Sequence, residues 1–320
     1  PKNLSLLIRG EQSLSIDIAI KLSRMMRTSV TYWLNLQNGY DALVAEFKSK
    51  EELAQEKVVF SNLNYKYFRE NFGLPDLPRK IDEQIAEVRR FLNVSTLTMF
   101  KRRDMAVSFR SATGELSESN IIKANTMVQI ATNIALKTKA PRFNKSIFEE
   151  AINYALTLTR NHSTFYPLIK ESFAKAGVIF VILPNIQGSK INGATKKVGN
   201  NIMLMVNDRR LHSDTFWFTL FHEIGHIMNG DYGISFDQDF GEQEEVADRF
   251  AEDMLIPYDQ YQNFVAKGRF DAQSICEFSE RINRDPGIVL GRLLNDGKVD
   301  YSNWSLNSLR HKYKVTMNES

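Results

Sequence analysis

His222, Glu223 and His226 stand in the run Phe221-His222-Glu223-Ile224-Gly225-His226-Ile227-Met228, an H-E-x-x-H spacing suited to chemistry on a metal-activated water. On a helix, residues four apart lie one above the other, so the two histidines offer two imidazole nitrogens to one divalent ion. Glu223, beside them, is placed to take a proton from that water and pass it to a leaving amine. This is the general-base role in zinc-dependent hydrolysis of peptide bonds. A purely structural role is the plain alternative. The flanking residues are apolar almost all round the helix, however, and burying two histidines and a glutamate there is costly unless a metal or other partners compensate.

A catalytic zinc takes a third protein ligand. Eighteen residues after His226 comes Glu244-Glu245-Val246-Ala247-Asp248-Arg249-Phe250-Ala251-Glu252-Asp253-Met254-Leu255-Ile256-Pro257. Helical phase puts Glu244 on the face of Ala247, Asp248, Ala251 and Leu255, which reads as inward, and Glu245 on the face of Arg249 and Glu252. Glu244 is therefore the expected third ligand. Asp248, one turn on, is expected to hold the second nitrogen of a ligating histidine. Each also has an ordinary reading: Glu244 as an acid favoured at a helix N-terminus, Asp248 as a surface residue. Two imidazoles, one carboxylate and an open fourth position suit Zn²⁺ better than magnesium or calcium, with Mn²⁺ or iron compatible. A further donor would stabilise an oxyanion. Arg210, His212, Tyr232 and Tyr258 are near in sequence, and nothing in the sequence selects among them.

The elements that must position these groups follow from caps and periodicity. Ser213 or Asp214 can cap the metal helix, and Asn229-Gly230 can end it in a left-handed turn. Gly225 costs about 1 kcal/mol relative to alanine inside a helix, so another backbone or the substrate is expected close by. Upstream, Ser146 and Glu149 read as a capping box, and a second helix ends near Ala176-Gly177. Val178 to Leu183 and Ile202 to Val206 read as buried strands, with Ile191 to Lys197 as an edge strand between them. Unpaired backbone near Gly193 and Ala194 could then receive an extended substrate. Asn71 to Pro78 reads as a turn and Ile81 to Leu92 as a helix. After Pro257, helices are expected over Asp271 to Ile282 and Pro286 to Leu294, read as a helical cap in preference to a second DNA reader.

The sequence His222-Glu223-Ile224-Gly225-His226, followed by Glu244-x-x-Ala247-Asp248-x-Phe250-Ala251 and Met254-Leu255-Ile256-Pro257, resembles the ImmA/IrrE family of zinc metallo-endopeptidases. Gly193-Ala194, Ile202 to Val206, Asp214 to Thr219 and Pro286 to Leu293 resemble the longer members that carry an N-terminal DNA-binding domain. The resemblance implies that His222, His226 and Glu244 hold the metal, that Glu223 is the base, and that the substrate is a repressor or antitoxin partner. Near the N-terminus, Asn3 to Gly10, Ile18 to Leu22, Tyr32 to Gln37 and Tyr40-Asp41 resemble the latter part of HigA-type helix-turn-helix antitoxins. Ser15 and Ser29 would cap two short helices there. By that resemblance residues 2–9 are the recognition helix, with Lys2, Asn3, Ser5 and Arg9 as candidate DNA contacts. The two helices that should precede it are not in the sequence, so the chain is expected to begin inside its domain.

Length and composition agree with several units. At 320 residues and 43% apolar content the chain can bury two or three cores. A formal charge of +3 does not by itself mark a nucleic-acid binder. The single cysteine, Cys276, excludes an intramolecular disulfide framework and is expected in the core. No signal peptide and no apolar run of about eighteen residues is visible, so no membrane association and a cytoplasmic location are expected. The expected fold is α+β and mostly helical. It comprises a partial helix-turn-helix domain (1–48), a helical connector (49–140), a zincin-like metallopeptidase domain with a small sheet (141–260) and a C-terminal helical cap (261–320). The expected function is a DNA-binding-domain-linked zinc metallo-endopeptidase that cleaves a regulator or itself. The alternative is a helix-turn-helix repressor or antitoxin whose metal site is structural or sensory. A homodimer is the prior for a helix-turn-helix protein.

Overall fold

The computed structural model describes residues 2–103, 117–210, 212–236 and 241–317. The fold is mostly helical with one small mixed sheet, an α+β arrangement. Among the described residues, no helix is long and apolar enough to cross a membrane. The chain divides into two compact units, residues 1–58 and 59–320.

In the first unit, α1 (Lys2–Ile8) and α2 (Ile16–Met26) lead to α3 (Val30–Phe60). The caps fall where serine chemistry places them: Ser15 Oγ accepts from Ile18 N at 3.3 Å, and Ser29 Oγ from Tyr32 N at 3.1 Å. The helix that starts after Ser29 is not short. It runs 31 residues, because no glycine-capped stop or proline interrupts Ala42 to Val59. Ser5 and Arg9 are exposed, and Arg9 pairs with Glu11 at 3.3 Å. The side chains of Lys2 and Asn3 lie outside what is described.

The second unit continues with α4 (Tyr65–Phe72), α5 (Ile81–Leu92) and α6 (Glu118–Lys137); residues 104–116 of the expected connector lie outside the described residues. Next come α7 (Lys145–Thr157) and α8 (Phe165–Lys175). Asn144, not Ser146, caps α7, its Oδ1 accepting from Ile147 N at 3.1 Å, so the expected capping box with Glu149 does not form. Gly177, at φ +80°, turns the chain into the sheet, and a Cβ there would lie 2.6 Å from the Phe143 backbone.

Strands β1 (Val178–Leu183), β2 (Ile191–Val198), β3 (Asn201–Asn207) and β4 (Ile234–Phe236) lie in the order β1-β3-β2-β4. β1 runs parallel to β3, while β2 is antiparallel to both β3 and β4. Thus β2 is an interior strand and not the expected edge. Gly193 pairs with Ser235 and Ala194 with Ile234, so the backbone expected to be open is covered by β4. Both sheet faces are buried, which explains the all-apolar β1. Val178, Phe180 and Ile182 join Ile202, Leu204 and Val206 in the main core with α7 and α8. The alternate residues Ile179, Val181, Met203 and Met205 are buried on the other face, which α6 covers.

Helix α9 (Ser213–Asn229) crosses the main-core face beside β2 and β3, and α10 (Glu242–Leu255) packs along it. Helices α11 (Tyr258–Val265), α12 (Ala272–Arg281) and α13 (Pro286–Asn295) complete the unit, with α13 against α9. Cys276 on α12 is half-buried and not a core residue, since Ile275 and Phe278 take the inward positions.

Candidate metal centre

Two of the three candidate metal ligands come from α9, whose sequence is apolar enough to be packed on several sides. Trp217, Leu220, Phe221 and Ile224 are fully buried and anchor it against the sheet. Its start differs from expectation. His212 occupies the N-cap position without a side-chain cap, Ser213 is the first helical residue, and Ser213 Oγ donates to Asp285 Oδ1 at 3.2 Å. Asp214 does not cap either; its carboxylate takes Arg310 at 2.8 and 3.1 Å. The end is as expected, with Gly230 at φ +74° donating its N–H to the carbonyls of His226 and Ile227.

His222 and His226 meet one turn apart, their Nε2 atoms 3.0 Å from each other. Helix α10 brings Glu244 to the same point: Oε2 lies 3.0 Å from His222 Nε2, and Oε1 lies 3.4 Å from His226 Nε2. All three side chains are buried. The helical phase that puts Glu244 inward with Ala247, Ala251 and Leu255 is the observed one. The two helices can approach this closely because of Gly225. A Cβ there would sit 3.2 Å from Ala247 Cα and 3.3 Å from its carbonyl oxygen, so a second backbone occupies the space a side chain would need.

Each ring is held from behind by a carboxylate. His222 Nδ1 lies 2.8 Å from Asp248 Oδ1, and His226 Nδ1 lies 2.9 Å from Asp231 Oδ2. Such contacts put the proton on Nδ1 and turn the Nε2 lone pair toward the centre. Asp248 was legible by helical phase. Asp231 was not, because it lies past the helix; its signal is the glycine before it, since the left-handed turn at Gly230 folds Asp231 N–H back onto the His226 carbonyl at 2.9 Å.

The group fits a divalent cation. Its donor atoms lie within 4.8 Å of one another, and Glu244 Oε1 is buried without a well-formed hydrogen bond. Two nitrogens facing each other at 3.0 Å beside a carboxylate need a positive charge between them, either a proton or a metal ion. With no metal, the surroundings favour a proton on His222. Burial pushes that imidazole down, but hydrogen bonds to Asp248 and Glu244, with the charge of Glu223 adding to them, outweigh it and push it up to about 10. Burial likewise opposes ionisation of Glu244, yet the two imidazoles hold its carboxyl well below the usual range.

Glu223 is fully buried beside this group and rests on β2 at Gly193. A Cβ at Gly193 would lie 2.6 Å from Glu223 Cγ and Oε1, so only glycine leaves room for the carboxylate. A cavity of about 650 Å³ opens next to His222, Glu244 and Asp248, with a lining that mixes the apolar Phe218, Leu255 and Ile288 with the charged Asp214, Arg292 and Arg310. Of the four donors considered for an oxyanion, Arg210 and His212 line this cavity. Tyr258 is exposed, and Tyr232 lies under the Lys197 ammonium at 4.7 Å; neither lines it. Ten residues of helical rise, about 15 Å, separate His212 from His222, which puts His212 near the far end. Burial, with Arg310 nearby, holds His212 below its ordinary pKa.

No curated protein matches the chain. Residues 179–293, which carry His222, Glu223, His226, Asp231, Glu244 and Asp248 together, match the M78 peptidase family model described as an IrrE N-terminal-like domain, and this match supports a metallopeptidase-type function.

Proposed function

We propose that this chain is a zinc-dependent endopeptidase, carrying a DNA-binding N-terminal unit, that cuts a repressor- or antitoxin-type regulator, or itself, to switch gene expression. The placing of Glu223 carries the peptidase reading. A structural zinc takes four protein ligands and needs no base beside them, whereas here a fully buried carboxylate adjoins a three-ligand group of which His222 and Glu244 line a cavity. The two-nitrogen, one-carboxylate donor set favours Zn²⁺, with Mn²⁺ compatible. When bound, the ion supplies a Lewis acid that polarises the scissile carbonyl and makes water acidic enough to attack near neutral pH.

His222, His226 and Glu244 would hold the ion. Asp248 and Asp231 fix the two imidazoles so that only their Nε2 atoms face it. Glu223 takes the proton of the attacking water on its carboxylate and delivers it to the nitrogen of the leaving amine. The apolar part of the cavity wall takes side chains of an extended substrate. Among the described strands β4 is the outermost next to the site, and its Phe236 lines the cavity, so the substrate backbone would add to the sheet at β4 and not at β2. Ser5, Arg9, Lys2 and Asn3 are the proposed DNA contacts, and a two-fold dimer and a cytoplasmic location accompany that reading.

The test is Glu223→Gln, assayed with the product of the neighbouring gene and read by mass spectrometry of the fragments. The variant should keep its metal and cut about 10²–10⁴-fold more slowly than the wild type. Cleavage at the wild-type rate would overturn the reading in favour of a helix-turn-helix repressor or antitoxin with a structural or sensory metal.

A further inference from the structure

At the opposite end of α9 from the H-E-x-x-H residues, three segments distant in sequence bring two more histidines and an aspartate together. Asp285 caps α13, its Oδ1 accepting from Gly287 N at 3.0 Å and from Ser213 Oγ at 3.2 Å, and it is only 1% exposed. Its other oxygen, Oδ2, faces His162 Nε2 at 3.1 Å. His162 Nδ1 lies 2.8 Å from the Tyr313 hydroxyl, and the His311 ring lies over the His162 ring with centroids 3.6 Å apart. One ligand atom from each of His162, Asp285 and His311 lies within 4.8 Å of the other two.

We propose that His162, Asp285 and His311 form a second site for a divalent transition metal of the zinc class, separate from the His222–His226–Glu244 group. Two imidazoles and a carboxylate are zinc-class donors. Bonds of about 2.0–2.1 Å in a tetrahedral shell place neighbouring ligand atoms about 3.3 Å apart, close to the 3.1 Å seen between His162 and Asp285. Tyr313 gives His162 the second-nitrogen contact that orients a ligating ring. One aspartate–histidine hydrogen bond would satisfy Asp285 by itself. Ring stacking would by itself seat His311 on His162, whereas a shared cation would engage one ligand atom from each of the three residues. His311 is exposed and provides the entry path.

A metal here would fasten the segment around His311 to His162 and to Asp285 at the start of α13, which Ser213 ties to the start of α9. That segment already lies across it: Ser213 N donates to the His311 carbonyl at 2.8 Å, the Lys312 backbone pairs antiparallel with that of His212, Arg310 grips Asp214 beside the cavity, and Val315 N donates to Asp208 Oδ2 at 3.0 Å. The role is structural, and it stands whether or not the first site cleaves peptides.

The test is titration of the metal-stripped full chain with Co²⁺ or Zn²⁺. The wild type should take up two equivalents, His222→Asn one, His311→Asn one, and His222→Asn with His311→Asn none. Because His311 is exposed, its replacement removes its stacking on His162 and leaves the buried core in place. Tyr313→Phe, which removes only the orienting hydroxyl, should weaken the second equivalent about 10–100-fold and leave the first unchanged. Amide hydrogen exchange at Ser213 and Val315 should slow on filling the second site in the wild type but not in His311→Asn. Saturation of the wild type at one equivalent that His222→Asn abolishes, or a second equivalent that survives His311→Asn, would overturn the proposal.

Discussion

Glu223 is positioned as much by what is missing opposite it as by its own helix. Gly193→Ala would press a methyl group against Glu223 Cγ and Oε1, 2.6 Å from each, and move the carboxylate without touching a metal ligand. A displacement of about 1 Å at a reacting group costs on the order of 10²-fold in rate. The variant should therefore bind metal like the wild type and turn over about a hundredfold more slowly, as read by metal content and a cleavage assay on one preparation. The pH dependence of the metal-free protein has a definite sign. His222 is raised in the folded state from 6.5 to about 10, so its contribution is fully present below about 6.5 and is lost as pH rises through about 10. Melting temperature of the metal-free protein should fall over that interval. The metal-loaded protein, in which His222 has no proton to lose, should not show the decline, and metal affinity should rise with pH as the competing proton leaves. At this scale the sequence was most legible. Histidines and glutamates at fixed spacing, together with helical phase, led to His222, Glu223, His226 and Glu244 and to Asp248 behind them. Asp231 stayed hidden because a turn, and no periodic element, returns it to the ring.

Between elements, α9 and α10 touch through Gly225 and Ala247. Gly225→Ala gains about 1 kcal/mol of helix propensity but sets a methyl 3.2 Å from Ala247 Cα, where the neighbour is backbone and cannot step aside. Overpacking of about 1–3 kcal/mol should win and push α10, with Glu244 and Asp248 on it, away from the imidazoles. Lower metal affinity and a lower midpoint in urea are expected together; an unchanged affinity would show that α10 does not depend on this contact. The long and strongly patterned elements were readable: β1, α5 and the end of α9 fall where apolar runs and caps put them. The sheet edge was not. β4 is only three residues, Ile234-Ser235-Phe236, too short to stand out from a loop, and without it β2 looks like an edge. The place of α6 was hidden for a different reason. Asn120, Asn125, Thr126 and Thr132 are buried along with its apolar residues, so a helix that covers the sheet reads as part of a helical connector. The cap of α7 was misplaced because Asn144 competes with Ser146 two residues on, and only geometry decides between them.

Over the whole molecule, metal binding and the stability of the second unit are one equilibrium, since Glu244 and the histidines converge only when α9 and α10 are packed. Free metal at a hundred times its dissociation constant adds about 2.7 kcal/mol. Chelation should therefore lower the melting temperature of the metal-loaded chain by about 5–10 °C, in a transition that re-addition of metal restores. The first unit is bounded by α3, whose 31 residues pass the limit a short helix-turn-helix pattern suggests; the Asn38-Gly39 pair inside it, a possible stop in the sequence, does not end the helix. The crossing of residues 310–315 over the start of α9 has a consequence in time. A ribosome delivers a chain from its N-terminus, and domains fold as their parts emerge. His222, Glu223 and Glu244 leave the ribosome well before Arg310 and His311 can settle on Asp214 and Ser213. While synthesis is under way, the cavity lacks one of its walls, and a nascent chain holds His222, Glu223 and Glu244 before the cleft beside them is complete.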